Sequence, residues 1–514
     1  MGSVKFRSGF WPILLLIGWI PILRLTAASS SPTAWPTLHG NLQRLGYYPE
    51  FPAGNLRIAW RQELHHELTG PRAEIIVAHH LAFLGTYAGR MLAWDARTGE
   101  LRWALATGGP IGHSPMLADG LLYFGSMDGC LYAVEAASGN LRWKRSVNAG
   151  IWTSPVVTDS AVLFGARDGI FHAVSLRDGT PLWQFATRDR ILNSPAVSED
   201  GARVVFASED MHVYCLSPAT GALKWRSRKL QGLSVRDYFP VISHGLVFIT
   251  TNPVKDFHTI LDEHQRGLIQ RTGFSGSDSR YIPGTAADVE REQDFIVEHL
   301  RAHPEEQTFY AFRLEDGTEP WIAPVLYTGG LHNPPTPPCV NPNSGQIFVQ
   351  LRSAYGTWDG GGEVRPLTCF GELNPRNGRI TLLGHGYRSR EPERPPGAKD
   401  MPWMSFNYIG DETQALSCSP GWLFSTHQGY LGSLSLESGL TANRYGKRDT
   451  YGGFYGPGVF GWENQGGYEK ARAAQQPYGI VNEWHGPARA IVSVAEGRVY
   501  FHTGSQVLCL EAQP

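Results

Sequence analysis

The sequence predicts an all-β fold, an eight-bladed β-propeller of four-stranded antiparallel blades. Three observations predict it: a repeat of about forty residues, hairpin turns inside each repeat, and an incomplete repeat at each end of the chain. The composition agrees, because 59 Gly and 35 Pro among 514 residues, with 18% charged residues, are typical of many turns between half-buried strands.

Residues 1–28 are predicted to be a signal peptide. Lys5 and Arg7 precede an apolar run, and the small residues Ala27 and Ala28 follow it, in the order that is typical of a secretory signal. The run is short for a bilayer span and contains prolines, so an uncleaved N-terminal anchor is the alternative. We therefore expect an exported chain, periplasmic or extracellular, with no membrane span after cleavage.

The tryptophans define the repeat. Trp103, Trp143 and Trp183 stand 40 residues apart, and Trp225 follows after 42. Each Trp follows a turn that contains Gly, and a small residue stands six positions before that Gly. These small residues are Ala93, Ala133, Ala173 and Cys215. Such regularity indicates a packing role, and we expect each indole to lie between neighbouring sheets.

Each repeat holds four short strands, A to D, joined by Asp-Gly and similar hairpin turns. A sheet this small cannot bury both faces alone, so the units must stack, as propeller blades do. The fifth D strand is expected near Trp321, and degenerate ones near Leu382 and Tyr445. The N-terminal strand at 55–60 should complete the last blade and close the ring, so that the propeller occupies residues 35–514.

The phrase AWDARTGELRW (Ala93–Trp103) resembles the pyrroloquinoline-quinone-like (PQQ-like) repeat of the quinoprotein alcohol dehydrogenase-like superfamily. The stretch WPTLHGNLQRLGYYP (35–49) resembles the leader of many secreted bacterial proteins of this superfamily. The resemblance implies the propeller fold. It implies less about activity, because the superfamily includes dehydrogenases and also non-enzymatic relatives such as the outer-membrane assembly lipoprotein.

Four long insertions interrupt the repeats, two between strands B and C and two between D and a following A. They are residues 252–307, 353–367, 384–412 and 446–484. These two kinds of connection lie on the same side of an antiparallel blade, so the insertions should crowd one face as an aromatic-rich lid. One piece predicts a helix that is capped by Thr285 and Asp288 and ends before Pro304.

The first residues of the innermost A strands open on the same face and differ from blade to blade. They are predicted to form a ligand-binding ring: Arg72, His113, Thr153, Asn193, Arg236, Asp237, Tyr238, Asn333, Glu412 and His485. The alternative is that they only cap strand ends and bind channel water. The net charge of −2 gives no reason to expect nucleic acid as a partner.

The dehydrogenases of the superfamily, by resemblance, place the quinone between a Trp and a vicinal disulfide, beside Ca²⁺ held by Glu and Asn, with an Asp base. This sequence has no adjacent Cys pair and no Cys-x-x-Cys-His for a haem. Asp237, Asn333 and Glu412 could meet at the mouth, but they match no motif. No cofactor is expected, with PQQ and Ca²⁺ as the alternative.

No metal site is expected either, because no close-spaced His, Cys and Asp set was found. The six Cys are expected to be buried free thiols, with a Cys339–Cys418 bridge between adjacent blades as the alternative.

The function expected from the sequence is that of a non-catalytic, monomeric, exported propeller that binds a small molecule or a protein partner at a lidded mouth. An enzyme is the alternative, either a divergent quinoprotein oxidoreductase or a hydrolase or lyase that uses the His and Arg residues of the mouth. A third possibility is a scaffold whose lid contacts other proteins.

Overall fold

The computed structural model describes residues 34–513, with gaps. The described residues exclude 53, 55, 65–66, 68, 71, 237, 255–285, 327–334, 354–366, 384–415, 428–429, 437–440, 446, 449–453, 456–491 and 503–505. The predicted signal peptide and most of the predicted insertions therefore lie outside the described residues.

The chain folds into small antiparallel sheets that follow one another, as the repeat predicts. Strand β1 (Leu56–Glu63) comes first in the chain and belongs to the last sheet. Sheet 1 contains β2 (Ile76–Ala78), β3 (Leu81–Gly85), β4 (Arg90–Asp95) and β5 (Leu101–Ala106). Sheet 2 contains β6 (Met116–Ala118), β7 (Leu121–Gly125), β8 (Cys130–Glu135) and β9 (Leu141–Ser146). Sheet 3 contains β10 (Val156–Val157), β11 (Ala161–Gly165), β12 (Ile170–Ser175) and β13 (Pro181–Ala186). Sheet 4 contains β14 (Ala196–Val197), β15 (Val204–Ser208), β16 (His212–Leu216) and β17 (Leu223–Arg226).

The second half of the chain adds four more sheets and one short ribbon. Sheet 5 contains β18 (Val241–Ser243), β19 (Leu246–Thr250) and β20 (Phe309–Arg313). Sheet 6 contains β21 (Cys339–Val340), β22 (Ile347–Ser353), β23 (Leu367–Leu373) and β24 (Ile380–Leu383). Sheet 7 contains β25 (Ser417–Ser419), β26 (Trp422–His427), β27 (Tyr430–Ser435) and β28 (Thr441–Tyr445). Sheet 8 contains β1 (Leu56–Glu63), β31 (Ser493–Ala495), β32 (Arg498–His502) and β33 (Gln506–Ala512), and the ribbon pairs β29 (Lys447–Arg448) with β30 (Phe454–Tyr455).

The architecture is a β-propeller of four-stranded antiparallel blades, but the prediction of eight such blades is wrong. Seven of the sheets have four strands, whereas sheet 5 has three. Its expected D strand around Trp321 is not hydrogen-bonded as a strand. The physical reason is in the sequence, because Pro320 and Pro324 flank Trp321 and a proline cannot donate a backbone hydrogen bond to a strand ladder.

The N- and C-terminal strands pair in sheet 8 as the sequence predicts. Strand β1 runs antiparallel to β33, in a register that places Leu56 opposite Ala512 and Glu63 opposite Gln506. The small residue Cys509 lies opposite Trp60, and Ala133 lies opposite Trp143 in the same way. A small residue at this position leaves room for the indole above the neighbouring strand.

Each of six tryptophans joins its own sheet to the next one. The Nε1 of Trp143 donates a hydrogen bond to the carbonyl oxygen of Leu176, 3.1 Å away, in the C–D turn of sheet 3. The same bond recurs in five further pairs, Trp60–Ala96, Trp103–Ala136, Trp183–Pro218, Trp225–Leu314 and Trp321–Pro375. Trp321 keeps this bond although its segment is not a strand. The repeat is therefore a sheet-to-sheet contact, as the spacing predicts.

The stretch that resembles a leader is an internal part of the propeller. We call residues 35–48 the hub segment. Its backbone forms hydrogen bonds with the innermost strands of six sheets in turn. The strand residues in these bonds are Val77, Leu117, Val197, Ile242, Val340 and Cys418. Tyr48 then reaches a seventh sheet, donating its hydroxyl hydrogen to the carbonyl oxygen of Val492 beside β31. One segment can reach all of these strands only if it lies where the innermost strands converge.

The described part of the first insertion is a helix, α1 (Ala286–Ala302), followed by a 3₁₀ turn (Pro304–Glu306). Val289, Ile296 and Leu300 are buried on one side, as the sequence predicts. The side-chain amide of Gln293 bonds both the N–H and the carbonyl of Ile380 in the outermost strand β24. This helix therefore covers the free edge of sheet 6, which differs from the predicted lid over the mouth.

Five cysteines are free thiols, among them Cys339 and Cys418 in neighbouring innermost strands. Burial raises the pKa of the Cys339 thiol. In the described part of the chain, no helix has both the length and the apolar character that crossing a membrane requires.

Candidate ligand-binding site

A buried arginine stands in the middle of the hub segment. Arg44 has no solvent exposure. Its Nε and Nη2 donate to the carbonyl oxygen of Pro195, at 3.1 and 2.9 Å, and its Nη1 donates to Thr37 Oγ1 and to the carbonyl oxygen of Leu38, at 2.8 and 2.6 Å. These bonds join the hub segment to sheet 4 and fold it back on itself, because Thr37 and Leu38 are hub residues.

Glu74 lies beside this cation, at a position where the neighbouring repeats have serine. Ser114, Ser154 and Ser194 follow it at intervals of 40 residues. The Glu74 carboxylate accepts a hydrogen bond from the backbone N–H of His39. Burial raises the pKa of Glu74 to about 8, although Arg44 acts in the opposite direction. Glu74 is therefore largely protonated at neutral pH.

His39 is the third buried residue of this group, and we call Arg44, Glu74 and His39 the floor of the site. It is fully buried, with its ring 4.9 Å from that of Phe239. Burial, and then the charge of Arg44, lower the pKa of His39 to about 3, so the imidazole is neutral. Gly46 packs against it so closely that an added Cβ would lie 2.2 Å from Nε2. Among the described residues, both ring nitrogens of His39 have no hydrogen-bond partner.

The titration of Glu74 gives a testable pH dependence. Its folded pKa is raised above the ordinary value of 4.5 to about 8, so the folded state binds this proton more tightly than the unfolded state does. Stability that depends on Glu74 is thus present at low pH and is lost as the pH rises through that interval. We expect wild type to lose stability relative to Glu74→Gln between pH 4.5 and about 8, measured by urea unfolding at several pH values. Parallel stability curves would contradict the assignment.

Above the floor, an aromatic and cationic group of residues lies at the A-strand entrances. We call Arg72, Tyr87, His113, Trp152 and Tyr238 the mouth cluster. The Cζ of Arg72 lies 4.2 Å from the ring centroid of Tyr238, which joins the entrances of sheets 1 and 5. The rings of Tyr87 and Trp152 stack at 5.8 Å, and His113 meets Trp152 edge-on at 5.7 Å.

The backbone makes room for these rings. An added Cβ at Gly112 would lie 2.3 Å from the ring of Trp152, so only glycine lets the indole lie against the chain there. Tyr87 comes from the connection between β3 and β4, and Trp152 from the connection between β9 and β10. Their contact places the B–C connection of sheet 1 and the D–A connection between sheets 2 and 3 on the same face. Burial raises the pKa of Tyr87 to about 12, so its phenol is protonated.

The structure separates the predicted site residues into two groups. Arg72, His113 and Tyr238 belong to the mouth cluster, and Arg236 is exposed close by in sequence. Thr153 and Asn193 are buried and cap strand ends, which was the alternative interpretation.

The bonds of the two capping residues are internal to the fold. Thr153 Oγ1 donates to the carbonyl oxygen of Gly165 at 2.9 Å. Asn193 Nδ2 donates to the carbonyl oxygens of Val235 and Tyr238, at 2.9 and 2.6 Å, and its Oδ1 accepts from Ala207. These two side chains position the entrances and are already paired. The remaining predicted residues, Asp237, Asn333, Glu412 and His485, lie outside the described residues.

The described residues do not form the Ca²⁺ site that the resemblance implies. Glu74 is the carboxylate that the structure places in the floor, and the guanidinium of Arg44 beside it repels a divalent cation. The other acidic and amide candidates, Asp237, Asn333 and Glu412, are not among the described residues. We therefore derive no chemical step through a quinone.

Sequence reasoning missed five residues of this site: His39, Arg44, Glu74, Tyr87 and Trp152. A signal existed for Glu74, because it replaces the serine of three later repeats. His39 and Arg44 lie in a segment that was interpreted only as a leader, and Tyr87 and Trp152 lie in short connections that differ between blades.

Comparisons with known proteins agree with this architecture. The family model described as outer membrane protein assembly factor BamB matches residues 54–145 and 111–323, which together span just over half of the chain. The fold is similar to a quinohemoprotein alcohol dehydrogenase from Comamonas testosteroni, with a TM-score of 0.54, 11% identity, and coverage of 95% of this chain and 82% of the enzyme. A second quinohemoprotein alcohol dehydrogenase, from Pseudomonas putida HK5, gives 0.51 and 13%, with coverage of 94% and 80%. Among proteins with curated functions, no sequence matches the chain.

Proposed function

We propose a ligand-binding role for this chain, which belongs to the PQQ-like propeller family whose model is described as outer membrane protein assembly factor BamB. The proposed site is the cup between the hub segment and the mouth cluster, and the ligand is a small, planar, anionic molecule. The observation that carries the proposal is the meeting of Arg72 with Tyr238, next to the Tyr87–Trp152 stack. A guanidinium beside aromatic faces favours a flat anion, by charge-assisted hydrogen bonds and by stacking.

The floor supports the same proposal. Buried polar atoms in proteins are nearly always hydrogen-bonded, to protein or to an ordered partner such as water. The unpaired ring nitrogens of His39 offer such a partner one donor and one acceptor, because the imidazole is neutral. The hub segment seals the cup from below, so a ligand enters from the mouth side only.

Two architectural inferences accompany this proposal. Sheet 5, with three strands, takes its place between sheets 4 and 6, because Trp225 docks on its turn and Trp321 docks on sheet 6. The ring is closed, since β1 contacts β28 of sheet 7 while it pairs with β33.

We further propose that residues 1–28 direct export of the chain to the periplasm or the cell exterior and are then cleaved off. The basic, apolar and small order of that segment supports it, with an uncleaved anchor as the alternative. The chain then acts as a monomer without a catalytic role.

Substitutions in the mouth cluster should separate binding from folding. We expect Arg72→Gln to weaken ligand binding at least about tenfold, because a hydrogen bond to a charged group contributes about 1.5–3 kcal/mol. Trp152→Leu should weaken it several-fold, because an aromatic stacking contact contributes about 0.5–1.5 kcal/mol. Binding is measured by tryptophan fluorescence over a panel of aromatic carboxylates, with PQQ included with and without Ca²⁺. The control is Arg97→Gln, an exposed arginine in the C–D turn of sheet 1, which should leave affinity unchanged. Equal affinity in wild type and both mouth variants would refute the site.

The alternatives predict different results. A divergent quinoprotein oxidoreductase, favoured by the likeness of the whole fold to two quinohemoprotein dehydrogenases, would reduce a dye with alcohols or sugars once PQQ and Ca²⁺ are added. A protein-binding scaffold would lose its partner when residues 446–484 are deleted. A hydrolase or lyase at the mouth would turn over its substrate without any added cofactor.

A further inference from the structure

A second polar cluster lies at the end of helix α1, away from the mouth cluster. His299 is in the last turn of α1, and His303 follows the last helical residue. Glu305 and Glu306 belong to the 3₁₀ turn that leads to β20. Four potential metal ligands thus lie within eight consecutive residues, where one short turn brings them to the same side of the chain.

The distances suit a single small cation. His299 Nε2 is 2.6 Å from Glu306 Oε2, and His303 Nδ1 is 3.5 Å from Glu305 Oε1. One ligand atom from each of His303, Glu305 and Glu306 lies within 4.8 Å of the other two. The rings of His299 and His303 stack with their centroids 4.7 Å apart. Tetrahedral coordination at about 2.0–2.1 Å requires ligand atoms roughly 3.3 Å apart, so the ligand atoms of His303, Glu305 and Glu306 would move together by up to about 1.5 Å, and His299 would turn from Glu306 toward them.

The backbone holds this arrangement without the cation. The N–H of His303 donates to the carbonyl oxygen of His299 at 2.8 Å, and the N–H of Glu306 donates to the carbonyl oxygen of His303 at 3.0 Å. Pro304 fixes the first position of the 3₁₀ turn. A cation would replace the direct contact between His299 and Glu306, and would lengthen it toward the coordination distance.

We propose that His299, His303, Glu305 and Glu306 form a site for a divalent transition metal of the Zn²⁺ class. Two imidazoles with carboxylates are a ligand set that Zn²⁺ prefers, whereas Ca²⁺ and Mg²⁺ prefer oxygen ligands alone. His303, Glu305 and Glu306 already lie together, and His299, which contacts Glu306, would supply the fourth ligand, so that no coordination position stays open and the site is structural. It ties the end of the insertion helix to the start of strand β20. This revises the expectation of no metal, which overlooked the His-x₃-His spacing of His299 and His303.

The test uses the full chain, stripped with a chelator and free of added histidines. Titration with ZnSO₄ in a calorimeter should show one bound ion per chain, and Zn²⁺ should raise the thermal midpoint. Co²⁺ should bind in place of Zn²⁺, with the strong visible absorption of four-coordinate cobalt. His303→Ala removes a half-exposed ligand with little effect on the fold, and should weaken Zn²⁺ binding at least about tenfold.

The matched control is His80→Ala. His80 pairs with Glu496 at 3.0 Å in an exposed contact that offers only two ligands, so its loss should leave Zn²⁺ affinity unchanged. Glu306→Gln should weaken binding as His303→Ala does. The proposal is overturned if wild type binds no Zn²⁺ under these conditions, or if both variants bind it as tightly as wild type. Neither result bears on the mouth cluster, so this test and the ligand test fail independently.

Discussion

Replacement of Arg44 by methionine is expected to lower the free energy of unfolding by about 2–6 kcal/mol, because the two carbonyl oxygens that now accept its hydrogen bonds would each stay buried without a donor, at about 1–3 kcal/mol apiece. Methionine fills a similar volume but donates no hydrogen bond. The carbonyl oxygens of Pro195 and Leu38 would then be buried without their present donors. Guanidinium chloride unfolding, followed by far-ultraviolet circular dichroism, measures the change.

A surface arginine provides the control for this prediction. Arg57 pairs with Glu511 at 2.9 Å, but its side chain is 54% exposed. Arg57→Met should therefore cost no more than about 1 kcal/mol, as exposed ion pairs do. If Arg44→Met is no more destabilising than Arg57→Met, the hub segment is a peripheral addition to the propeller and not an integral part of it.

The importance of the hub segment follows from propeller geometry. The innermost strand of each blade has an unpaired edge toward the axis, and unpaired edges are costly when buried. Here the backbone of Leu42, Gln43 and Leu45 accepts hydrogen bonds from three successive innermost strands. The hub segment thus supplies hydrogen-bond acceptors to backbone N–H groups of these strands that would otherwise need water as a partner.

The sequence predicts the blades well because their signal is local and repeated. The small residue, the turn Gly and the Trp of one blade lie within about ten residues, and the same contact recurs in the next blade. Even the departure at sheet 5 can be understood from the sequence, because Pro320 and Pro324 stand on either side of Trp321. The prediction of eight four-stranded blades is wrong because it takes each tryptophan as the mark of a D strand. Trp321 docks on sheet 6 although its own segment is not a strand.

The hub segment could not be predicted in the same way. Its contacts are made once, without a period, and reach residues as distant as Val492. The polar ring was predicted only in part for a different reason. Thr153 and Asn193 occupy the expected entrances, but their short side chains turn back onto their own blades or the next one. Chain position alone does not distinguish this orientation from that of Arg72, which is long enough to reach Tyr238.

The second large effect on the free energy of unfolding is expected from removing a tryptophan that joins two sheets. Trp143→Ala is expected to lower the free energy of unfolding by about 3–5 kcal/mol, through the cavity left between sheets 2 and 3 and the loss of the bond to Leu176. Leu141→Ala in the same strand is the control, because that side chain is 48% exposed and its truncation should have little effect. Both are measured by chemical unfolding at one pH.

A pair of glycine variants tests whether the indole must dock on the next turn. Gly179 and Gly120 have similar positive φ angles, 70° and 77°, so alanine costs about 1–2 kcal/mol of backbone strain at either position. An added Cβ at Gly179 would lie 2.7 Å from the Trp143 ring, whereas at Gly120 it meets nothing within 4 Å. Gly179→Ala should therefore be clearly the more destabilising, and the excess should vanish in the Trp143→Ala background, where the clash is absent. An excess that persists there would mean that the turn is constrained by something other than the tryptophan, and that the repeat does not hold the blades together in the way its spacing indicates.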